Sequence, residues 1–194
     1  AYDLTLAKIS VQTGELLKTI RMRDIEKRNP ELYIFDLRLV LNTTQETSTG
    51  YPHPNTVEPM PAAYAAAFPQ FKPGDLAINY RTNNTFYVLD PETLEVKFWY
   101  HGAGDGGHSI RWEPDGTFSL FDNHFRSGWN TSIAPYSGIV SIDPRTHSHK
   151  RIWYGDRQQL HTIVNGHHQI TPGNTILMTS SIQGRFLEID QNTG

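Results

Sequence analysis

The chain of 194 residues contains no cysteine. That excludes a disulfide scaffold, a thiolate zinc site and a cysteine nucleophile, and it leaves the redox compartment open. Charge is scarce at 19% of residues, and it is balanced: 17 Lys+Arg stand against 20 Asp+Glu, a net charge of -3 with His neutral. Such a balance excludes binding to nucleic acid driven by phosphate charge. No apolar run approaches the roughly 20 residues that span a bilayer, and the opening residues do not read as a secretory leader. Aromatic residues make up 11% of the chain, and with so few charges this argues for a packed core rather than disorder.

What the chain does contain is repetition. Phe86-Tyr87-Val88-Leu89-Asp90-Pro91-Glu92-Thr93 precedes an apolar run at 96–100. Gly138-Ile139-Val140-Ser141-Ile142-Asp143-Pro144-Arg145-Thr146 precedes Arg151-Ile152-Trp153-Tyr154, and Arg185-Phe186-Leu187-Glu188-Ile189-Asp190-Gln191-Asn192-Thr193 has the same form. A weaker copy, Leu6-Ala7-Lys8-Ile9-Ser10-Val11-Gln12-Thr13-Gly14, opens the chain. Each reads as strand, tight turn, strand: Pro presets φ, and Asp or Thr accepts backbone N–H groups. A second pattern, a turn opening an apolar strand, recurs at Gly74-Asp75-Leu76, Asp115-Gly116-Thr117-Phe118 and Gly173-Asn174-Thr175-Ile176.

The matched Asp90, Asp143 and Asp190 lie 53 and 47 residues apart. Four short strands repeating every ~40–50 residues predict an all-β fold, a β-propeller of four-stranded antiparallel blades; a β-sandwich with similar hairpins is the alternative. On this reading the chain, 1–194, is a single propeller domain or a fragment of one. It holds about four blades of a larger ring of about six. A short helix is expected at 25–29, ended by Asn29-Pro30. The stretch 42–71 reads as an insertion loop, in which the alanines at 62–67 form at most two helical turns.

Nine histidines are many for this length. His147 and His149 fall in an exposed turn, and His101 follows a strand. His53, His108 and the pair His167 and His168 stand instead ahead of the repeated turn–strand units. In a propeller the first strand of each blade lines the central channel, so these imidazoles would converge at one face. Such a cluster suits anion binding, metal binding or nucleophilic chemistry. No carboxylate cluster and no short His-x-His or His-x-x-x-His pair accompanies them, so a metal-dependent hydrolase ranks behind the other two.

Four elements then occur in order: His53-x-Asn55-x-Val57, Gly74-Asp75-Leu76-Ala77-Ile78-Asn79-Tyr80-Arg81, Val88-x-Asp90-x-x-Thr93, and His108 ahead of Phe121-Asp122-Asn123. This set resembles the bacterial arylsulfotransferase family, the PAPS-independent aryl sulfate sulfotransferases, over nearly the whole chain. The resemblance implies transfer of a sulfuryl group from an aryl sulfate to a phenol through a sulfated histidine. It implies no cofactor, small-molecule partners and a periplasmic or secreted location. It makes His108 the nucleophile, with His53 and Arg81 holding the sulfuryl oxygens and assisting the phenol. Asn55 and Asn123 become supporting polar residues on the substrate. By position on the following blade, and not by the resemblance, His167 or His168 offers a further channel-facing donor. Tyr80 and Trp129 are candidates to stack on a phenol ring, whereas Trp112 is assigned to packing. The competing reading is a non-catalytic propeller that binds an anionic ligand or a protein at the channel mouth.

Overall fold

The computed structural model describes residues 4–32, 53–125 and 136–193. They form four antiparallel sheets in which neighbours in sequence are neighbours in space. The first is a hairpin, β1 (Thr5–Ile9) with β2 (Leu16–Arg21), which runs into helix α1 (Met22–Arg28). The second has β3 (Pro54–Pro59), β4 (Leu76–Tyr80), β5 (Thr85–Leu89) and β6 (Val96–His101) in that order. The third repeats it with β7 (His108–Trp112), β8 (Phe118–Asp122), β9 (Gly138–Asp143) and β10 (Ser148–Tyr154). The fourth is β11 (His167–Ile170), β12 (Thr175–Ser180) and β13 (Arg185–Asp190).

The shared turn explains the shared hairpins. Asp90 Oδ1 accepts the N–H groups of Glu92 and Thr93, Asp143 Oδ1 accepts that of Arg145, and Asp190 Oδ1 accepts that of Asn192. Ser10 Oγ plays the same part for Thr13. The residue after the threonine takes a left-handed backbone at Gly14 (φ 74°), Leu94 (φ 61°) and His147 (φ 51°). Only the first of these is a glycine, so the side-chain caps and the ladder hold two non-glycine residues in a conformation L-residues disfavour.

Three apolar clusters each join two successive sheets. Ile20, Met22 and Ile25 pack on Ile78, Tyr80 and Tyr87. Phe86 and Tyr100 of the second sheet meet Trp112, Phe118 and Val140 of the third. Phe121, Ile139 and Trp153 of the third meet Ile176, Met178 and Ile189 of the fourth. Burying a side chain of this size contributes about 1.5–3 kcal/mol, so these clusters are the main source of cohesion between sheets.

The stretch 42–71 departs from the loop expected of it. Its residues 42–52 lie outside the described residues, but Pro54–Pro59 is an edge strand of the second sheet. Prolines at both ends hid it in the sequence, and an edge strand is where a sheet tolerates them. A 3-10 turn follows at Ala62–Tyr64, and beyond it Phe68 and Phe71 plug the second cluster. The Phe68 ring stands edge-on to Trp112 with centroids 4.9 Å apart.

Candidate functional site

His108 opens β7 at the end of the glycine-rich turn Gly104-Asp105-Gly106-Gly107. Side chains from neighbouring turns stitch that approach in place. Asn84 donates through Nδ2 to Asp105 Oδ1 (3.1 Å) and accepts the Gly106 N–H on its Oδ1 (2.7 Å). Asp122 Oδ1 accepts the Asp105 N–H (2.8 Å). Asn55 and Asn79 both donate to the Gly107 carbonyl, at 3.0 and 2.6 Å, and Asn79 also donates to Asn55 Oδ1 at 2.8 Å.

The imidazole of His108 is buried and bonded on both nitrogens. Nδ1 lies 2.6 Å from Asn123 Oδ1 and 3.0 Å from the Gly106 carbonyl. Both partners are acceptors, so the ring proton sits on Nδ1 and the lone pair on Nε2. That lone pair accepts the backbone N–H of Asn165 at 3.2 Å. Burial pushes the His108 pKa below its ordinary value. The hydrogen bonds to Asn123 and Gly106 oppose the shift, and the nearby charges of Arg81 and His53 reinforce it. The ring is therefore neutral at neutral pH.

Arg81 and Asn123 occupy the same repeat position, immediately after β4 and β8. The Arg81 guanidinium carbon lies 4.7 Å from the centre of the Phe125 ring, and Nη2 donates to the Ile163 carbonyl at 3.4 Å. Its Nε is buried with no hydrogen-bond partner among the described residues. His53 is exposed, and its carbonyl accepts the Arg81 N–H at 3.1 Å. His108, Arg81 and His53 are thus brought together, with Asn55 and Asn123 beside them. The two amides bind protein groups: Asn55 fixes the strand start, and Asn123 fixes the ring.

Three expected residues are placed elsewhere. Tyr80 is 1% exposed, and its hydroxyl lies 2.6 Å from that of Tyr87 within an apolar cluster. Strand alternation turns Tyr80 away from the face that carries Asn79 and Arg81, so it is not available to stack on a phenol. His168 is fully buried and lies 2.7 Å from Ser119 Oγ, so it is a packing residue rather than a channel donor. His167 is exposed, and its bonds run from Nδ1 to Ser109 Oγ (3.0 Å) and from its N–H to Thr179 Oγ1 (3.1 Å) rather than to His108. Trp129 lies outside the described residues. Trp112 is buried, as its packing role required.

The sequence reading missed Asn79, Phe125 and Asn165. Period-two alternation from Arg81 would have found Asn79. Nothing local to Asn165 signals that its amide meets an imidazole 57 residues away. Among the described residues no group of three or more His, Asp or Glu could hold a metal ion. A model of the arylsulfotransferase (ASST) family matches residues 1–194, the whole chain. No curated protein matches it.

Proposed function

The chain belongs to the arylsulfotransferase family, and from that premise we propose that it moves a sulfuryl group from an aryl sulfate ester to a phenolic acceptor, with His108 as the nucleophile. The observation that carries this reading is the bonding of one ring: acceptors at Nδ1 fix the tautomer and place the lone pair on Nε2. A neutral imidazole with its lone pair so directed is an activated nucleophile.

In the first half-reaction Nε2 forms a bond to sulfur while the bond from sulfur to the aryl oxygen breaks. The bonding pair leaves with that oxygen, which takes a proton from His53 or solvent. The charge the ring gains is shared through Nδ1–H with the Asn123 and Gly106 oxygens. In the second half-reaction an acceptor phenol gives up its proton to His53 or solvent, its oxygen bonds to sulfur, and the N–S pair returns to Nε2. Arg81 engages the sulfuryl oxygens through its planar fork of donors, one of which, Nε, has no hydrogen-bond partner among the described residues. The chemistry calls for no cofactor.

We read the four sheets as successive blades of a β-propeller, a single domain or part of a ring of about six blades. The starts of β3, β7 and β11 then face the channel. Family membership supports a periplasmic or secreted setting. No helix among the described residues is long and apolar enough to cross a membrane.

The test is release of nitrophenol from 4-nitrophenyl sulfate in the presence of a phenol acceptor. His108→Ala should abolish it. Donor without acceptor should leave one SO3 group, detected by mass, on the peptide that carries His108. Turnover unchanged by His108→Ala would overturn the assignment. A second reading, a non-catalytic site for an anionic ligand, is favoured by one observation, that Nε2 is already hydrogen-bonded to Asn165. Saturable binding of an aryl sulfate with no sulfated peptide would support it.

A further inference from the structure

The lone pair of His108 Nε2 cannot both accept the Asn165 N–H and attack sulfur. The segment 162–166 therefore stands between the nucleophile and any substrate, and its contacts show what holds it there. Thr162 is fully buried. Its N–H donates to Ser137 Oγ at 3.0 Å, and its carbonyl accepts Asn123 Nδ2 at 2.7 Å. Gly166 leads directly into β11, whose His167 N–H donates to Thr179 Oγ1, and the stretch between these two attachments is exposed at Ile163 and Asn165. It is held by Asn123 Nδ2 on the Asn165 carbonyl (2.6 Å), by the long Arg81 contact to the Ile163 carbonyl (3.4 Å) and by the imidazole itself. The turn between the ends is closed by Thr162 Oγ1 donating to the Val164 carbonyl at 2.7 Å. Asn165 (φ 58°) and Gly166 (φ 107°) then pass through left-handed backbone, and a Cβ at Gly166 would stand 2.8 Å from the Phe121 ring.

We propose that residues 162–166 form a gate over His108, closed in this structure and anchored at Thr162 on one side and at β11 on the other. The gate opens by release of its Ile163 and Asn165 contacts when an anionic group takes Arg81 from the Ile163 carbonyl. An anion that engages the guanidinium only after the carbonyl has left has the differential affinity that shifts such an equilibrium. The same protein groups, Arg81, Asn123 and His108, thus hold the closed gate and face the substrate once it opens. The proposal rests on the reading of Nε2 as the attacking atom.

The test measures access to that atom directly. Diethyl pyrocarbonate adds an ethoxycarbonyl group to an imidazole lone pair and releases ethyl carbonate, which decays to carbon dioxide and ethanol. The rate at His108 is followed by peptide mass and normalised to the exposed His147. Thr162→Val removes the hydroxyl that closes the turn, and Gly166→Ala crowds the closed position against Phe121. Each should label His108 about threefold to tenfold faster than the unaltered protein, the range expected for loss of one net hydrogen bond. Thr162→Ser, which keeps the hydroxyl, should match the unaltered protein. If Gly166→Ala fails to fold, Thr162→Val decides alone. Equal rates in Thr162→Val and Thr162→Ser, or labelling of unaltered His108 as fast as His147, would overturn the gate. Turnover of 4-nitrophenyl sulfate in the same preparations keeps the two readings apart. Faster labelling in the variants with no turnover in any protein sinks the transferase and leaves the gate standing.

Discussion

Ser119 Oγ and His168 Nε2 lie 2.7 Å apart, joining β8 to β11 at a point closed to solvent. The same hydroxyl donates to Glu113, so His168 Nε2 must donate to it, and Nδ1 is left buried with no partner among the described residues. Burial, aided by the charges of His167 and Arg111, pushes the His168 pKa down to about 3. The folded protein keeps this ring neutral, whereas the unfolded chain binds a proton below about pH 6.5. Stability is therefore fully present above that value and is lost as the pH falls toward 3. At about pH 4.5 the loss from this ring is about 2 to 3 kcal/mol. Glu113, held above the ordinary carboxylate range by burial, works in the opposite direction. Urea midpoints at two pH values should show His168→Gln weaker than the unaltered protein near neutrality but less sensitive to acid. Equal acid losses in the two proteins would remove His168 as the source.

The lowered pKa of His108 sets the acid limb of catalysis. Protonation removes the nucleophilic lone pair, so kcat/KM should fall on acidification with an inflection below about 6.5, the value for free histidine. A pH–rate profile checks this, and an inflection above that value contradicts it.

Asn123 is a positioning residue, and its substitutions separate geometry from charge. Asn123→Ala removes the shorter of the two acceptors at Nδ1, so kcat should drop by about 100-fold through loss of orientation. Asn123→Asp keeps an acceptor but places a carboxylate beside the ring, which favours its protonated form. The acid limb should then move to higher pH by roughly one unit or more. A purely structural role for Asn123 would lower activity without moving the limb.

Gly116 and Gly14 share a left-handed backbone, at φ 84° and 74°, but differ in their surroundings. A Cβ at Gly116 would stand 2.5 Å from the Ala67 carbonyl oxygen, whereas one at Gly14 would meet nothing within 4 Å. Gly14→Ala should cost about 1 kcal/mol, the conformational penalty alone. Gly116→Ala should cost about 3 kcal/mol, because the segment carrying Phe68 must also shift. Thermal or urea unfolding of the pair tests the difference, and equal costs would show that the Ala67 segment yields freely.

The features legible in the sequence were those that short-range chemistry writes into it. The Asp-x-x-Thr turns were visible because a carboxylate two residues from its own N–H partner needs no other part of the fold. His108 and Arg81 were visible as members of an ordered motif. Tyr80 shares the sequence stretch of Arg81 but not its face. The pleat puts Asn79 and Arg81 on one face and Tyr80 on the other, where Tyr87 and Met22 enclose it. β3 was masked by its terminal prolines, and His168 by its neighbour, since adjacent strand residues face opposite ways. The contact of Asn165 with His108 was illegible for a different reason: it depends on how two sheets stack, and no local pattern records that.

The Asn123 amide touches the imidazole with its oxygen and the 162–166 segment with its nitrogen. The ring proton on Nδ1 is consequently a built-in spectroscopic reporter. Its resonance should lie far downfield and exchange slowly while the amide is gripped from both sides. It should shift and broaden when an anion arrives, before any bond to sulfur has formed. A single proton, followed without a label, thus records both the state of the nucleophile and the position of the segment that covers it.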